Sequence, residues 1–278
     1  MIKKRKKQFY IQTWHGALGF KRIEKDSVEL LSKEYVKYAQ NDSKNIDLLL
    51  TNCKWQEDYF KKYFWYDGKI LVEGLPRNDV LFDIESNKKI IKKFKSNYNI
   101  DDNTKILLYA PTFRNNKKTD CYNIDYDKLL LTLEKKYNCK WILLMRFHPN
   151  MSDVFFPNRE NIINVSNYPN INELLIVSDM LISDYSSLIF EFSYLYKPII
   201  MYASDIKEYE KERGFCIDIT KVPFNIVKNN KELSDVIINY NSDNYIEKLN
   251  NFFKECGLNE SGNSSKIVAD IIINKISK

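Results

Sequence analysis

Short, uninterrupted apolar runs alternate along this 278-residue chain with amphipathic stretches of helix length, and that alternation confines it to the α/β class. Ile106-Leu107-Leu108-Tyr109 and Trp141-Ile142-Leu143-Leu144-Met145 have no polar face, as expected of parallel strands covered on both sides. The pattern predicts strands over residues 8–13, 47–51, 69–73, 105–109, 141–145, 162–165, 180–182, 198–202 and 215–217. It predicts helices over 27–39, 55–63, 85–98, 126–137, 171–177, 187–196, 231–239, 245–255 and 264–275. A charged, Asn-rich stretch, 84–104, separates two groups of such units. The expected division is therefore two α/β domains, 1–98 and 99–278, both built on Rossmann-like units.

Composition narrows the class of function. No apolar run approaches the roughly 20 residues that cross a bilayer, and no secretory h-region follows the basic start, so a cytoplasmic location is expected. The five cysteines are scattered and odd in number, without metal-type or disulfide spacing. With only two histidines a histidine-rich metal site is excluded, and neither metal nor cofactor is expected. Net charge is +6, and residues 1–25 carry eight basic side chains against one acidic. The run Lys3-Lys4-Arg5-Lys6-Lys7 is either a solvated tail or an attraction to an anionic membrane face, at about 1 kcal/mol per basic residue near the surface. It lacks the motifs of nucleic-acid binding.

Both histidines sit where a buried strand would end, the place open α/β folds keep their ligands. His15 lies in Gln12-Thr13-Trp14-His15-Gly16 and His148 in Arg146-Phe147-His148-Pro149. Alone, either is more simply a packed or surface side chain; together they point to proton transfer near neutral pH. Ser183-Asp184-Tyr185-Ser186-Ser187 joins a strand to a helix, where hydroxyls and free N–H groups suit a pyrophosphate; N-capping by Ser186 or Asp184 is an equal alternative, and both can hold at once. Glu191 follows Ser187 by one helical turn, on the same face. Arg77, Arg114 and Arg146 stand at three further strand ends, which suits a polyanionic ligand; any one of them alone reads as a surface ion-pair residue.

In order, Gln12-Thr13-Trp14-His15-Gly16, Gly74-Leu75-Pro76-Arg77-Asn78-Asp79, Tyr109-Ala110-Pro111-Thr112-Phe113-Arg114, Arg146-Phe147-His148-Pro149, Ser183-Asp184-Tyr185-Ser186-Ser187 and Arg213-Gly214-Phe215 resemble the CDP-glycerol glycerophosphotransferases of teichoic-acid and capsular polysaccharide synthesis. The closing segment Glu260-Ser261-Gly262-Asn263-Ser264-Ser265 is similar too, so the likeness runs from about Gln12 to Ile272. The resemblance implies a GT-B-like architecture, two Rossmann-like domains facing a cleft. It implies a CDP-alditol donor, CMP as leaving group, and a lipid-linked or polymeric glycan acceptor. By matching motif, His15, Gly16, Ala17, Leu18, Gly19, Arg77, Pro111, Thr112, Arg146, Phe147, His148, Ser186, Ser187 and Glu191 would line the donor site. Arg114 is an additional phosphate contact on this reading, with His15 as general base and His148 stabilising charge.

Three features depart from the family pattern. Only 13 residues precede Trp14, so the first domain is expected to be incomplete and self-association becomes an option. Glu191 stands where relatives usually carry aspartate, and Val222-Pro223-Phe224 lacks their flanking glycines. Two competing functions are a glycosyltransferase that uses a nucleotide sugar and a non-catalytic nucleotide-binding paralogue.

Overall fold

The computed structural model describes residues 4–16, 18–114, 120–147, 157 and 159–277. Its strands, all in parallel pairs, form two sheets. One unit comprises Met1–Asp83, Glu208–Val222 and Asn250–Lys278; the other comprises Ile84–Lys207 and Pro223–Leu249. The expected cut near residue 98 differs from this division. The helix Ile84–Asn97 goes with the second unit, and two later segments return to the first.

In the first unit β1 (Ile11–Gln12), β2 (Leu48–Thr51) and β3 (Ile70–Val72) lie side by side in chain order. Alternation along β2 sends its leucines to two cores. Leu49 packs with Phe60 and Phe64 around α2 (Lys54–Tyr63). Leu48 and Leu50 pack on the other face with Leu75, Val268 and Ile271, the last two from α10 (Ser264–Ile276). The single helix expected over 27–39 is broken. A 3-10 turn, Glu24–Leu30, ends in extended residues, and α1 (Lys33–Ser43) starts afresh where the Ser32 hydroxyl accepts from the Tyr35 amide at 3.1 Å. Such a cap satisfies one of the unpaired N–H groups that every helix start presents.

Among the described residues the second unit carries six strands: β4 (Lys105–Tyr109), β5 (Trp141–Met145), β6 (Ile162–Asn164), β7 (Met180–Ser183), β8 (Ile199–Tyr202) and β9 (Asn225–Val227). Their spatial order is β6-β5-β4-β7-β8-β9. Counted from β4 this is the 3-2-1-4-5-6 order of a Rossmann sheet, whose direction of winding reverses between β4 and β7. Every residue of β7 and β8 is buried, as is β4 beyond Lys105, which accounts for the unbroken apolar runs in the sequence. Leu129, Leu130 and Leu133 of α4 (Tyr126–Tyr137) close one face over Leu107 and Leu143.

The sixth strand is not where the sequence suggested. Residues 215–217 make only one antiparallel bridge, Phe215 with Lys21, and the edge of the large sheet is β9 instead. With three residues, two of them only half buried, β9 has too short an apolar signature to stand out.

Candidate functional site

The carboxyl end of β1 runs directly into the loop that carries His15. Trp14 holds a left-handed φ of 55°, unusual for a bulky residue and stabilised here by its surroundings. Its amide donates to the Gln12 side chain at 2.9 Å and its ring meets Phe64 edge-on at 5.0 Å. This turn leaves His15 exposed, with its ring 4.5 Å from that of Trp14. The Arg77 guanidinium donates to the His15 carbonyl at 2.9 Å. Partial desolvation, then the charges of Lys21 and Arg77, lower the pKa of the imidazole. A neutral ring near pH 7 is the form a general base needs.

The rest of this loop is an anchor. Gly16 is buried, and Leu18 and Phe20 are almost wholly so. Gly19 accepts from the Cys216 thiol through its carbonyl, and the Cys216 amide donates to the Phe20 carbonyl at 2.8 Å. Hence the Arg213-Gly214-Phe215 motif supports the loop behind His15. Gly214 has φ 65°, and a Cβ there would lie 2.1 Å from Nε of Arg22. Ala17 lies outside the described residues.

Arg77 is exposed on the turn Pro76–Phe82, which is locked to the closing segment. Glu260 is largely buried and accepts from the Asn52 and Asn78 side chains at 2.9 and 3.0 Å and from the Leu75 amide at 3.3 Å. Burial pushes the Glu260 pKa up against those bonds. Asp79 accepts from the first amides of α10, those of Ser264 and Ser265, at 3.0 and 2.6 Å. The similarity of the Gly74–Asp79 and Glu260–Ser265 motifs to the family is thus explained by their mutual packing.

In the second unit the candidate residues gather at the carboxyl ends of β4, β5 and β7, around the switch point. Pro111 is buried and Thr112 half-buried. The Thr112 amide donates to Asp184 Oδ1 at 2.8 Å, and the Tyr185 amide donates to the same oxygen at 2.6 Å. The Arg146 amide donates to the Tyr109 carbonyl, while its Nη1 donates to the carbonyls of Val165 and Tyr168 at 3.2 and 2.7 Å. Burial lowers the pKa of Arg146, but a guanidinium starts so far above neutrality that it stays a cation. Phe147 is core, edge-on to Tyr109 and Tyr122, so its side chain shapes the sheet end from within. His148 falls outside the described residues.

Ser186 and Ser187 are half-exposed at the start of α6 (Leu188–Ser193). Ser186 accepts from the Leu188 amide at 3.3 Å, whereas Ser187 makes no capping bond. The helix expected over 187–196 spans six residues, so side chains and loop amides rather than a long macrodipole supply the field there. Glu191 is 3% exposed, so it is buried within the second unit.

Arg114 is the clearest departure from expectation. At 4% exposure it is not poised for a ligand. Its Nη2 pairs with Asp184 at 2.8 Å, its Nε with Asp205 at 2.7 Å, and its Nη1 with the Thr112 carbonyl at 2.8 Å. A guanidinium with its donors engaged on protein oxygens has no edge left for a phosphate. Neither aspartate was singled out as its partner, because they lie 70 and 91 residues away along the chain. Among the described residues no group of three or more His, Cys, Asp or Glu could hold a metal ion. No helix among them is long and apolar enough to cross a membrane.

The strand order and the loops at the switch point define an α/β protein of the Rossmann type. The family model described as CDP-Glycerol:Poly(glycerophosphate) glycerophosphotransferase matches residues 1–274, and the chain belongs to that family. It is 33% identical over 279 residues to the teichoic acid poly(glycerol phosphate) polymerase of Bacillus subtilis (strain 168), covering 95% of this chain and 37% of that protein. It is 31% identical to the teichoic acid glycerol-phosphate transferase of Staphylococcus aureus, covering 95% of this chain and 70% of that one. A histidine-to-alanine variant of the wall teichoic acid polymerase TagF superposes with a TM-score of 0.86 at 28% identity, over 99% of this chain and 70% of that chain. The chain spans about two fifths of the length of the Bacillus subtilis and Staphylococcus epidermidis polymerases, 37% and 39%.

Proposed function

We propose that this chain transfers an alditol phosphate, glycerol phosphate foremost, from a CDP-linked donor to a hydroxyl of a teichoic-acid or capsular acceptor, releasing CMP. Family membership across residues 1–274 carries the reading. A TagF structure soaked with CDPG, 30% identical to this chain with a TM-score of 0.85, supports the donor class.

On this reading the acceptor hydroxyl oxygen attacks the phosphorus that bears the alditol. The bond from that phosphorus to the bridging oxygen breaks, and the electron pair leaves with CMP. His15 takes the acceptor proton, for which its lowered pKa and exposed position suit it. Arg77 steers the anionic donor, while Arg146, Ser186 and Ser187 stabilise charge that grows on the departing phosphate. By family motif His148 shares the charge-stabilising role of Arg146; Gly16, Leu18 and Gly19 shape the loop that presents His15, and Pro111, Thr112, Phe147 and Glu191 shape the strand ends of the second unit. The exposed Arg5, Lys6 and Lys7 favour an anionic surface, which would hold the enzyme peripherally on the cytoplasmic face of the membrane, beside a lipid-linked acceptor.

Phosphorus NMR of purified protein with CDP-glycerol and a polyol-phosphate acceptor tests the reaction. The expected result is loss of the pyrophosphate signals and equal gain of CMP and a phosphodiester. Release of a nucleoside diphosphate from a nucleotide sugar, with CDP-glycerol untouched, would instead establish a glycosyltransferase.

A further inference from the structure

The loops after β4, β7 and β8 carry different parts of the second unit's ligand-facing edge, and a single buried side chain ties all three together. Arg114, in the first loop, donates to Asp184 in the second and through Nε and Nη2 to both oxygens of Asp205 in the third, at 2.7 and 3.1 Å. Its Nη1 returns to the Thr112 carbonyl and hydroxyl. Asp184 completes the tie by accepting the Thr112 and Tyr185 amides on one oxygen. The Tyr185 hydroxyl donates to Asp205 at 3.0 Å, and the guanidinium lies 5.0 Å above the Tyr185 ring. One residue before Asp184, the Ser183 hydroxyl donates to the Ala110 carbonyl at 2.6 Å. Tyr185 immediately precedes Ser186 and Ser187, so the path of that loop is set from both sides.

We propose that Arg114, Asp184 and Asp205 form a positioning hub that holds Ser186 and Ser187 in register with the Pro111–Thr112 loop for a nucleoside-diphosphate donor, without touching the donor. This rests on the donor reading above. Two acids around one base also explain why a motif arginine is buried. Burial would raise the Asp205 pKa, but hydrogen bonds and charge from Arg114 hold it below the ordinary carboxylate value, and an Arg–carboxylate fork fixes direction as well as distance. Lysine keeps the charge but cannot span three loops with planar donors.

Arg114→Lys and Asp184→Asn test the hub, with Leu133→Ala in α4 as a variant that loosens the same core without touching the hub. Two readouts are taken well below every melting temperature: hydrogen exchange at the Thr112 and Tyr185 amides, and CDP-glycerol affinity by calorimetry. The hub predicts faster exchange at those two amides and donor affinity weakened roughly tenfold or more, since small misplacements of binding groups are costly. Leu133→Ala should lower the melting temperature yet leave affinity within about twofold. If Asp184→Asn does not fold, Asp205→Asn, whose side chain is 22% exposed, replaces it. Unchanged exchange, or affinity that falls only in step with melting temperature across all variants, overturns the hub. A wild type that does not bind CDP-glycerol, although those amides respond to the substitutions, overturns the donor reading and the hub's binding role with it.

Discussion

Replacing Gly74 by alanine should unfold the support of Arg77 without altering any residue that faces a ligand. Gly74 has φ +81°, and a Cβ built there would stand 2.2 Å from the Ser264 hydroxyl and 2.5 Å from Glu260 Oε1. Neither neighbour can swing away cheaply. Ser264 is fully buried and donates to the Glu73 carbonyl at 2.8 Å, and Glu260 is held by Asn52, Asn78 and the Leu75 amide. A left-handed alanine costs about 1–2 kcal/mol. Displacing Glu260 leaves two or three buried donors short, at about 1 kcal/mol each. The sum, roughly 3–5 kcal/mol, is a large fraction of the 5–15 kcal/mol that stabilises a typical domain. Urea unfolding at 25 °C, followed by circular dichroism, measures it. Pairing the change with Ser264→Ala removes the nearer clash and should give a sub-additive loss. A loss below about 1 kcal/mol would refute this account of why the Gly74 and Glu260 motifs occur together.

Two further outcomes follow from ionisation. Because the folded state lowers the pKa of His15, the acidic limb of the rate profile should fall below the ordinary value of about 6.5. Replacing Lys21 by methionine should move it back upward, and a limb at or above 6.5 in the wild type contradicts the assignment. Lys197 donates to the carbonyls of Ile176 and Ser178, and burial lowers its pKa from 10.5 to about 8. A depressed base binds fewer protons folded than unfolded between those values, so wild-type stability should gain roughly 3 kcal/mol from this group as pH rises from 8 to 10.5. Lys197→Met should remove that contribution, and identical pH–stability curves for the two proteins would contradict it.

How far the sequence disclosed the molecule depended on whether the relevant contacts were local. Strands β4, β5, β7 and β8 were legible because burial on both faces leaves a continuous apolar run. The break between Glu24–Leu30 and α1 was not, since the helical spacing continues across it and only the Ser32 cap marks the restart. His15, Arg146, Ser186 and Ser187 were legible as strand-end residues. Arg114 stood in an equally suggestive place, but its partners are set by tertiary folding and turned a presumed phosphate contact into an internal brace. Asp184 carried a usable signal, an acid embedded between serines at a strand end. Of the two capping candidates, Ser186 and Asp184, it is Ser186 that accepts a helix-start amide, whereas the Asp184 oxygens accept from Thr112, Tyr185 and Arg114.

The proposed transfer, with release of CMP, depends most directly on His15 as its base. The decisive measurement compares CMP formation from CDP-glycerol by the wild type and His15→Ala, with acceptor present and donor affinity measured alongside. The expected result is CMP from the wild type, a loss of about 10²-fold or more in the variant, and donor binding retained by both. Equal CMP formation by the two proteins would contradict the role of His15, and a wild type that binds the donor yet never forms CMP would contradict the reaction itself.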